Sequence, residues 1–292
     1  MHVLIAGGSG NIGKNLQKAL LDKGYQVSVL TRDSTRVLGK VSYIHWDGMV
    51  MPALHTPVDA IINLCGASIA SEMWTDERQK KLFESRVIPT QTLVSHMAEM
   101  AKKPHVFINA SAVGYYGDRS FELLTEESDS GKGFLAELSV EWEKAANNNQ
   151  TRTVILRTGI VLEKNAGALP EALKTFPLGF GGYFGKGNQG FPWIHIQDEV
   201  GLIIHALENP AVEGPINLVA PESVSYKQFI ETAAKIRSKL VVPAPEFVLN
   251  VMLGSRADLV LSSQYVYPKK AVQTGYQFKF PHLKEALEDL LN

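Results

Sequence analysis

Three glycines at three-residue spacing close the first apolar segment of this chain. Gly7, Gly10 and Gly13 follow the apolar run 3–6, and a helical pattern of apolar residues occupies 11–23. A strand, a glycine turn and a helix in this order predict a dinucleotide-binding site. Gly7 permits the tight turn, Gly10 lets the backbone approach a pyrophosphate, and Gly13 lets the helix pack close to the strand. The predicted contacts in this turn are Gly7, Ser9, Gly10, Asn11, Ile12 and Gly13.

The residues that end the second predicted strand bear on the choice of cofactor. Residues 26–30 form an extended apolar segment, and Thr31, Arg32 and Asp33 follow it. In this fold the residue about 20 positions past the glycines meets the adenosine ribose. An acid there would accept a hydrogen bond from the 2′-hydroxyl, whereas an arginine would pair with a 2′-phosphate. Arg32 therefore favours NADP, with Thr31 beside it as a contact, and Asp33 keeps NAD as the alternative.

Small residues follow the fourth predicted strand. Residues 59–64 are predicted to form that strand, which ends at Leu64 and is followed by Cys65 and Gly66. Small side chains at this position let the cofactor's ribose and pyrophosphate approach closely, so these three residues are predicted cofactor contacts. We interpret Cys65 as a small buried filler rather than a nucleophile, because no histidine or metal partner accompanies it in the sequence.

A serine and two tyrosines follow the fifth predicted strand, 105–110. The stretch Ser111-Ala-Val-Gly-Tyr115-Tyr116-Gly supplies hydroxyl groups at the carboxyl end of that strand. The sixth strand, 153–157, continues past its end through 159–162, which brings Val161 towards the nicotinamide end of the predicted cofactor site. These positions make Ser111, Tyr115 and Tyr116 the candidate catalytic residues.

The glycine spacing and the motifs at the strand ends resemble those of the short-chain dehydrogenase/reductase superfamily, in its extended branch. The resemblance implies that Asp47, after the third strand 41–46, faces the adenine and that Ser111 binds the substrate oxygen. Arg86 falls where extended relatives carry an asparagine that faces the active site, so it is expected to reach the cofactor or to lie on the helix surface. These enzymes also carry Tyr-x-x-x-Lys on the next helix, but the window 133–144 contains no tyrosine. The literal match at 265–269 has Pro268 inside it, and we regard it as accidental.

The missing pair and several further motifs are similar to one group, the atypical extended short-chain proteins known as the epimerase family. The segments that carry this resemblance are 64–66, 111–117, 156–162, 191–198 and 268–270. The similarity extends over essentially the whole chain, including the part after about residue 242. Its motifs imply NADP(H) binding and leave the reaction undefined.

The order of segments predicts an α/β fold with a doubly wound parallel sheet and a small C-terminal lobe. We place a Rossmann domain at 1–220, with a substrate-side flap at 165–190, and the lobe at 221–292. Helices are predicted at 168–176, 199–207, 245–253 and 282–291, and Ser225 with Gln228 forms a capping box that opens another helix. Pro89 is expected to kink or divide the helix that contains Arg86.

Composition excludes several classes of function. The 292 residues carry a formal net charge of −1, which gives no sign of a nucleic-acid or acidic-membrane partner. Cys65 is the only cysteine in the sequence, so an intramolecular disulfide is impossible and a reducing cytoplasm fits. No apolar run approaches the ~18–20 residues of a membrane span, and no secretory signal is evident. We expect a small-molecule substrate and no metal, and the oligomeric state stays open.

The leading hypothesis is an NADP(H)-dependent oxidoreductase that reduces an unidentified small carbonyl substrate. A tyrosine without a neighbouring lysine, near its reference pKa of ~10, is only about 0.1% ionised at pH 7. Such a tyrosine is a poor base but a competent proton donor, so Tyr115 or Tyr116 would protonate an oxygen oriented by Ser111. The alternatives are an isomerase that oxidises and re-reduces a sugar nucleotide with retained cofactor, and an NADP-binding sensor or scaffold without turnover.

Overall fold

The computed structural model describes residues 1–148, 150–244, 254 and 258–292. An eight-stranded sheet forms the centre of this part of the chain. The strands in chain order are β1 (His2–Ala6), β2 (Gln26–Thr31), β3 (Arg36–Leu38), β4 (Val41–His45), β5 (Ala60–Asn63), β6 (Val106–Ala112), β7 (Leu123–Leu124), β8 (Arg152–Thr158), β9 (Ile160–Glu163), β10 (Ala166–Gly167), β11 (Phe180–Phe184), β12 (Gly190–Phe191), β13 (Trp193–His195), β14 (Gly214–Leu218), β15 (Val224–Ser225), β16 (Leu240–Ala244) and β17 (Tyr265–Val266). The helices are α1 (Asn11–Asp22), α2 (Asp76–Glu99), α3 (Phe134–Ala145), α4 (Ala168–Ala172), α5 (Ile196–Glu208), α6 (Tyr226–Ile236), α7 (Asp258–Leu261), α8 (Lys269–Gln273) and α9 (Leu283–Leu291). Short 3-10 helices lie at Val113–Tyr116 and Phe176–Leu178.

The strand order of this sheet is β14-β8-β6-β5-β1-β2-β4-β3. Neighbouring strands are parallel except β3, which pairs antiparallel with β4. From β1 the chain builds outwards to β4, and from β5 it builds in the opposite direction. Ligands of such sheets bind at the point of reversal, outside the carboxyl ends of the strands. The predicted doubly wound parallel sheet is confirmed, and its crevice lies at the ends of β1 and β5.

Both faces of the sheet are covered by helices, as the continuous apolar runs of its strands require. On one face Val3 and Ile5 of β1 share a core with Leu16 of α1 and Ile203 of α5. On the other face Leu4 packs in a second core with residues of α2 that include Leu93. Within the described residues, none of the helices combines the length and apolarity needed to cross a lipid bilayer.

The predicted C-terminal lobe packs against the sheet domain through two cores. Helices α6 and α9 share one core with Trp193 and Phe176, which belong to the predicted Rossmann domain. Tyr276 and Phe278 instead pack against the core that α1 and α5 form with the sheet. Side chains from both sides of the proposed boundary at 220 therefore share the same cores. The boundary stays a prediction, as does the substrate-side flap at 165–190.

Several elements differ from the sequence prediction in ways that local chemistry explains. Helix α2 continues through Pro89 without division. The predicted helix 168–176 is shorter, since α4 ends at Ala172 and a 3-10 turn containing Pro177 follows. The segment 159–162 forms β9 of a separate three-stranded sheet with β10 and β13. Strand β3 was missed because its three residues are all exposed and show no apolar period. The helix predicted at 245–253 lies outside the described residues.

Candidate functional site

The glycine turn after β1 has the conformation that the sequence predicted. Gly7 has φ +76°, and a Cβ atom there would lie 2.5 Å from the carbonyl carbon of Leu64. A Cβ on Gly13 would lie 2.6 Å from the Cα of Gly8, so the helix packs closely on the turn itself rather than on the strand. At Gly10 the position of a Cβ faces open space apart from the Gly7 carbonyl oxygen at 3.4 Å. The turn therefore has a closed inner side and an open outer side.

The open side of the turn leads to the N-terminus of α1. Ser9 and Gly10 are exposed, Asn11 and Ile12 are half-buried, and α1 begins at Asn11 with no side chain capping it. Its first N–H groups therefore point towards an accessible anion position. This accessible cradle fits the diphosphate of a dinucleotide. The side-chain amide of Asn11 also donates to the Glu163 carboxylate at the end of β9.

Arg32 lies exposed at the end of β2. Its exposed side chain forms no ion pair within the described residues, because the neighbouring Asp33 pairs with Arg36 at 3.3 Å. Arg36 in turn lies over the ring of Tyr43, 4.8 Å from its centroid. The amide of Asp33 donates to the Thr31 hydroxyl, which fixes the turn after the strand. Asp33 is therefore committed to Arg36, and Arg32 keeps its donors for a ligand.

Asp47 lies after β4 with an exposed side chain. One oxygen of its carboxylate accepts the backbone N–H groups of Met49 at 2.8 Å and Val50 at 3.4 Å. These hydrogen bonds lower the pKa of Asp47, so it is ionised at neutral pH. The contact of this carboxylate with the adenine stays a prediction.

Cys65 lies at the end of β5, beside Leu64 and close to Arg32. Burial raises the pKa of its thiol to about 12, and the Arg32 charge offsets only a smaller part of that rise. The thiol is therefore protonated and a poor nucleophile at neutral pH, which supports its interpretation as a filler. In the sheet β2 and β5 are the two neighbours of β1, so their carboxyl ends lie on either side of the glycine turn.

Arg86 lies against Gly66 rather than on an open helix surface. A Cβ atom on Gly66 would lie 3.2 Å from the Arg86 guanidinium carbon, so the glycine makes room for that group. The guanidinium donates to the carbonyls of Ala67 at 3.0 Å and Leu82 at 2.9 Å, and it lies 5.1 Å from the ring centroid of Trp142. The structure thus places a cation of α2 at the end of β5.

Ser111, Tyr115 and Tyr116 surround an ion pair that the sequence analysis missed. Arg157 of β8 and Glu143 of α3 form two hydrogen bonds of 2.9 Å, and their side chains are only 4% and 15% exposed. The hydroxyl of Ser111 donates to Glu143 at 2.7 Å. Its single proton is therefore already engaged, and the predicted contact with a substrate oxygen would require Ser111 to release Glu143.

The structure separates the two tyrosines that the sequence left as alternatives. Tyr116 is fully buried, and its hydroxyl donates to Asn217 at 2.7 Å and accepts from Arg157 at 3.1 Å. Burial raises the pKa of Tyr116 to about 12. Tyr115 is only half-buried, and its hydroxyl forms no hydrogen bond within the described part of the chain. The Arg157 guanidinium lies over the Tyr115 ring, 3.5 Å from its centroid.

The signal for this pair was present in the sequence. Arg157 interrupts the apolar run of β8, and a charge in a buried strand needs a partner. The partner, Glu143, is one of several acids on α3, and only the fold selects it.

Two further residues, Val161 and Glu199, lie near the ends of β8 and β9. Val161 pairs with Ile194 between β9 and β13 and is half-buried against the core under α5. Glu199 of α5 accepts from the Thr158 hydroxyl at 3.0 Å, and burial raises its pKa to about 8. The sequence suggested Glu199 only as the start of a helix, which in the structure begins at Ile196.

His195 is structural. Its Nδ1 accepts the backbone N–H of Gln197 and caps α5, while its Nε2 lies 3.2 Å from Asp289. Among the residues that the structure describes, no cluster of three or more histidine, cysteine or acidic side chains could hold a metal ion.

Comparison with known proteins gives concordant matches. Residues 3–219 match the NAD dependent epimerase/dehydratase family, and residues 244–290 match a domain of unknown function, DUF1731. The chain is 35% identical to the human epimerase family protein SDR39U1 over 298 residues, covering all of both chains. It is 33% identical to the chloroplastic SDR39U1 homolog of Arabidopsis thaliana, covering all of this chain and 87% of the other. The crystal structure of human SDR39U1 (isoform 2) with NADPH superposes with a TM-score of 0.91 at 34% identity, covering 99% of each chain.

Proposed function

Since the chain belongs to the NAD dependent epimerase/dehydratase family, we propose that it is an NADP(H)-dependent oxidoreductase that reduces a small carbonyl substrate. The observation that carries this proposal is the placement of Tyr115. Tyr115 lies in the 3-10 helix that follows β6, and the Arg157 guanidinium lies 3.5 Å from its ring centroid. We propose the cytoplasm as its setting, in keeping with a single free thiol, Cys65.

The proposed cofactor is NADPH, as in the crystallised human relative. The glycine turn and the first N–H groups of α1 would hold the diphosphate. Arg32 would pair with the 2′-phosphate through charge-assisted hydrogen bonds, since no acid of the described residues occupies it. Leu64, Cys65 and Val161 would line the path towards the nicotinamide. When bound there, NADPH supplies the hydride that reduces the carbonyl carbon.

The proton for the substrate oxygen is assigned to Tyr115. As the carbonyl is reduced, its oxygen gains negative charge and takes the phenol proton of Tyr115, which leaves a phenolate. The Arg157 guanidinium, 3.5 Å from the ring centroid, would stabilise that phenolate as it forms. Glu143 holds the guanidinium in place, so its orientation needs no adjustment during the reaction.

Comparison of two phenylalanine variants tests this assignment. After a screen of carbonyl compounds by loss of NADPH absorbance, turnover is measured for Tyr115→Phe and Tyr116→Phe. Loss of a general acid should lower turnover of Tyr115→Phe by ~10²–10⁴-fold while NADPH affinity stays within about threefold. Tyr116→Phe should keep turnover and lose stability, about 1–3 kcal/mol, because it removes two buried hydrogen bonds. Full turnover by Tyr115→Phe would refute the mechanism.

The isomerase alternative makes a different prediction for the same preparation. An enzyme that oxidises and then re-reduces its substrate regenerates bound NADP⁺ in every cycle and consumes no NADPH, whereas a reductase consumes NADPH in proportion to product. Stoichiometric NADPH loss therefore supports the reductase. Product formation without net NADPH loss would favour the isomerase, and binding without either would favour a sensor.

A further inference from the structure

Arg86 is a cation without an acidic partner among the described residues. Its three hydrogen bonds go to the carbonyls of Ala67 and Leu82 and to the Ser85 hydroxyl, all neutral acceptors. The nearest charge that acts on it is another cation, Arg78, two turns earlier on α2. Burial lowers the pKa of Arg86 to about 10, which still leaves it protonated at neutral pH. A largely desolvated positive charge therefore stands at the end of β5 without compensation.

The guanidinium also keeps part of its donor capacity. An arginine offers five N–H donors in a planar fork. In Arg86 both Nη1 donors and one Nη2 donor have partners, so Nε–H and the second Nη2–H remain. The Nε–H and one Nη2–H of a guanidinium share an edge of its plane, an arrangement that binds a carboxylate or phosphate through two parallel hydrogen bonds. Arg86 is half-buried rather than fully buried.

The location of Arg86 associates it with the proposed reaction centre. Its guanidinium packs on Trp142 of α3. One turn earlier on the same helix, Ser139 lies beside Gly114, in the 3-10 helix that carries Tyr115. The diphosphate position lies instead beside Gly10, at the end of β1. In the sheet β5 lies between β1 and β6, so Arg86 lies at the end of the strand between those that lead to the diphosphate position and to Tyr115.

We propose that Arg86 binds an oxyanion group of the substrate, so that the substrate class is carbonyl compounds that carry a carboxylate or a phosphate. This inference rests on the proposed reductase function. The competing ligand of the same chemistry is the diphosphate of NADPH itself, and the experiment distinguishes the two.

The first measurement is the binding of inorganic phosphate to NADPH-saturated protein by isothermal titration at constant ionic strength. We expect saturable millimolar binding to the wild type and at least tenfold weaker binding to Arg86→Gln. Arg86→Lys keeps the charge and loses the fork, so it should weaken phosphate binding about three- to tenfold. The matched control is Lys80→Gln, which removes a positive charge from the exposed surface of the same helix and should change phosphate affinity less than twofold.

NADPH affinity of Arg86→Gln shows that the variant is folded and tests the competing ligand. A change within threefold supports substrate binding, whereas a loss of tenfold or more would assign Arg86 to the cofactor and overturn the proposal. The proposal also fails if the loaded wild type shows no saturable phosphate binding, or if Arg86→Gln binds phosphate equally well.

Matched substrate pairs then test the class. A 2-oxo acid and its methyl ester, compared by NADPH consumption, should differ at least tenfold in kcat/KM in favour of the acid, and Arg86→Gln should abolish the difference. Preference for the ester would overturn the inference. Absence of any turnover, with phosphate binding intact, would instead refute the proposed reductase function alone.

Discussion

Replacement of Arg32 by alanine is the most direct test of cofactor choice. The side chain is exposed at the end of β2 and forms no ion pair in the described structure, since Asp33 is held by Arg36. Arg32→Ala therefore removes a charge without leaving an acid unpaired. Its effect on NADPH binding should report the contact with the 2′-phosphate alone.

The expected magnitude follows from the exposure of the group. A charge-assisted hydrogen bond contributes ~1.5–3 kcal/mol, and screening of an exposed pair favours the lower end of that range. A loss of about 1.5 kcal/mol corresponds to roughly tenfold weaker binding of NADPH. NADH lacks the phosphate, so its affinity should change by less than about twofold.

Quenching of protein fluorescence by each cofactor measures these affinities. Arg36→Ala is the matched control, because it removes a neighbouring guanidinium that is already paired with Asp33 and packed on Tyr43. The preference of the wild type for NADPH should also decrease as ionic strength rises. Equal affinity of the wild type for NADPH and NADH, or equal losses in Arg32→Ala and Arg36→Ala, would refute the reasoning.

Three further predictions concern buried acidic side chains. Glu143→Gln leaves the Arg157 guanidinium, 4% exposed, without a carboxylate, and should lower the free energy of unfolding by ~3–5 kcal/mol in denaturant titrations. The pKa of Glu199 is about 8 in the folded protein and ~4.3 in the unfolded chain, so the free energy of unfolding should fall as pH rises between these values, by at most ~1.4 kcal/mol per pH unit. Glu199→Gln should flatten this pH dependence in thermal melts, and an unchanged slope would contradict the prediction. Asp198→Ala removes the hydrogen bonds that its carboxylate accepts from the Tyr276 hydroxyl and from the amides of Lys279 and Phe280. Hydrogen exchange of the backbone amides should therefore accelerate in residues 275–281. Unaltered protection there would show that these bonds contribute little.

The sheet was predictable because its determinants are local. Each buried strand is a short apolar run, and the glycine turn after β1 precedes an amphipathic helix. The capping box of Ser225 and Gln228 was also confirmed, since both of its hydrogen bonds lie within four residues. Strand β3 could not be predicted, because three exposed residues are held by pairing with β4 alone.

The candidate site was less predictable because its contacts are tertiary. Ser111 was selected by its position, but its donor is engaged by Glu143, 32 residues later. Tyr115 and Tyr116 are adjacent in sequence, and only the 3-10 helix turns one of them inwards to Asn217. Arg86 was expected either at the cofactor or on the helix surface. The structure places it against Gly66 at the end of β5, and its contact with the cofactor stays a prediction.

The hydrogen bonds of Asp198 bear on how the chain folds during its synthesis. This carboxylate is 1% exposed, and the amides that satisfy it lie 81 and 82 residues later. At ~5–20 residues per second a ribosome needs roughly 4–16 s to make that stretch. In the meantime helix α5 carries a carboxylate that cannot be buried without cost. We therefore expect the nascent sheet domain to complete its core only once residues 276–280 have been made, and a chain that stops before them should remain open to proteases.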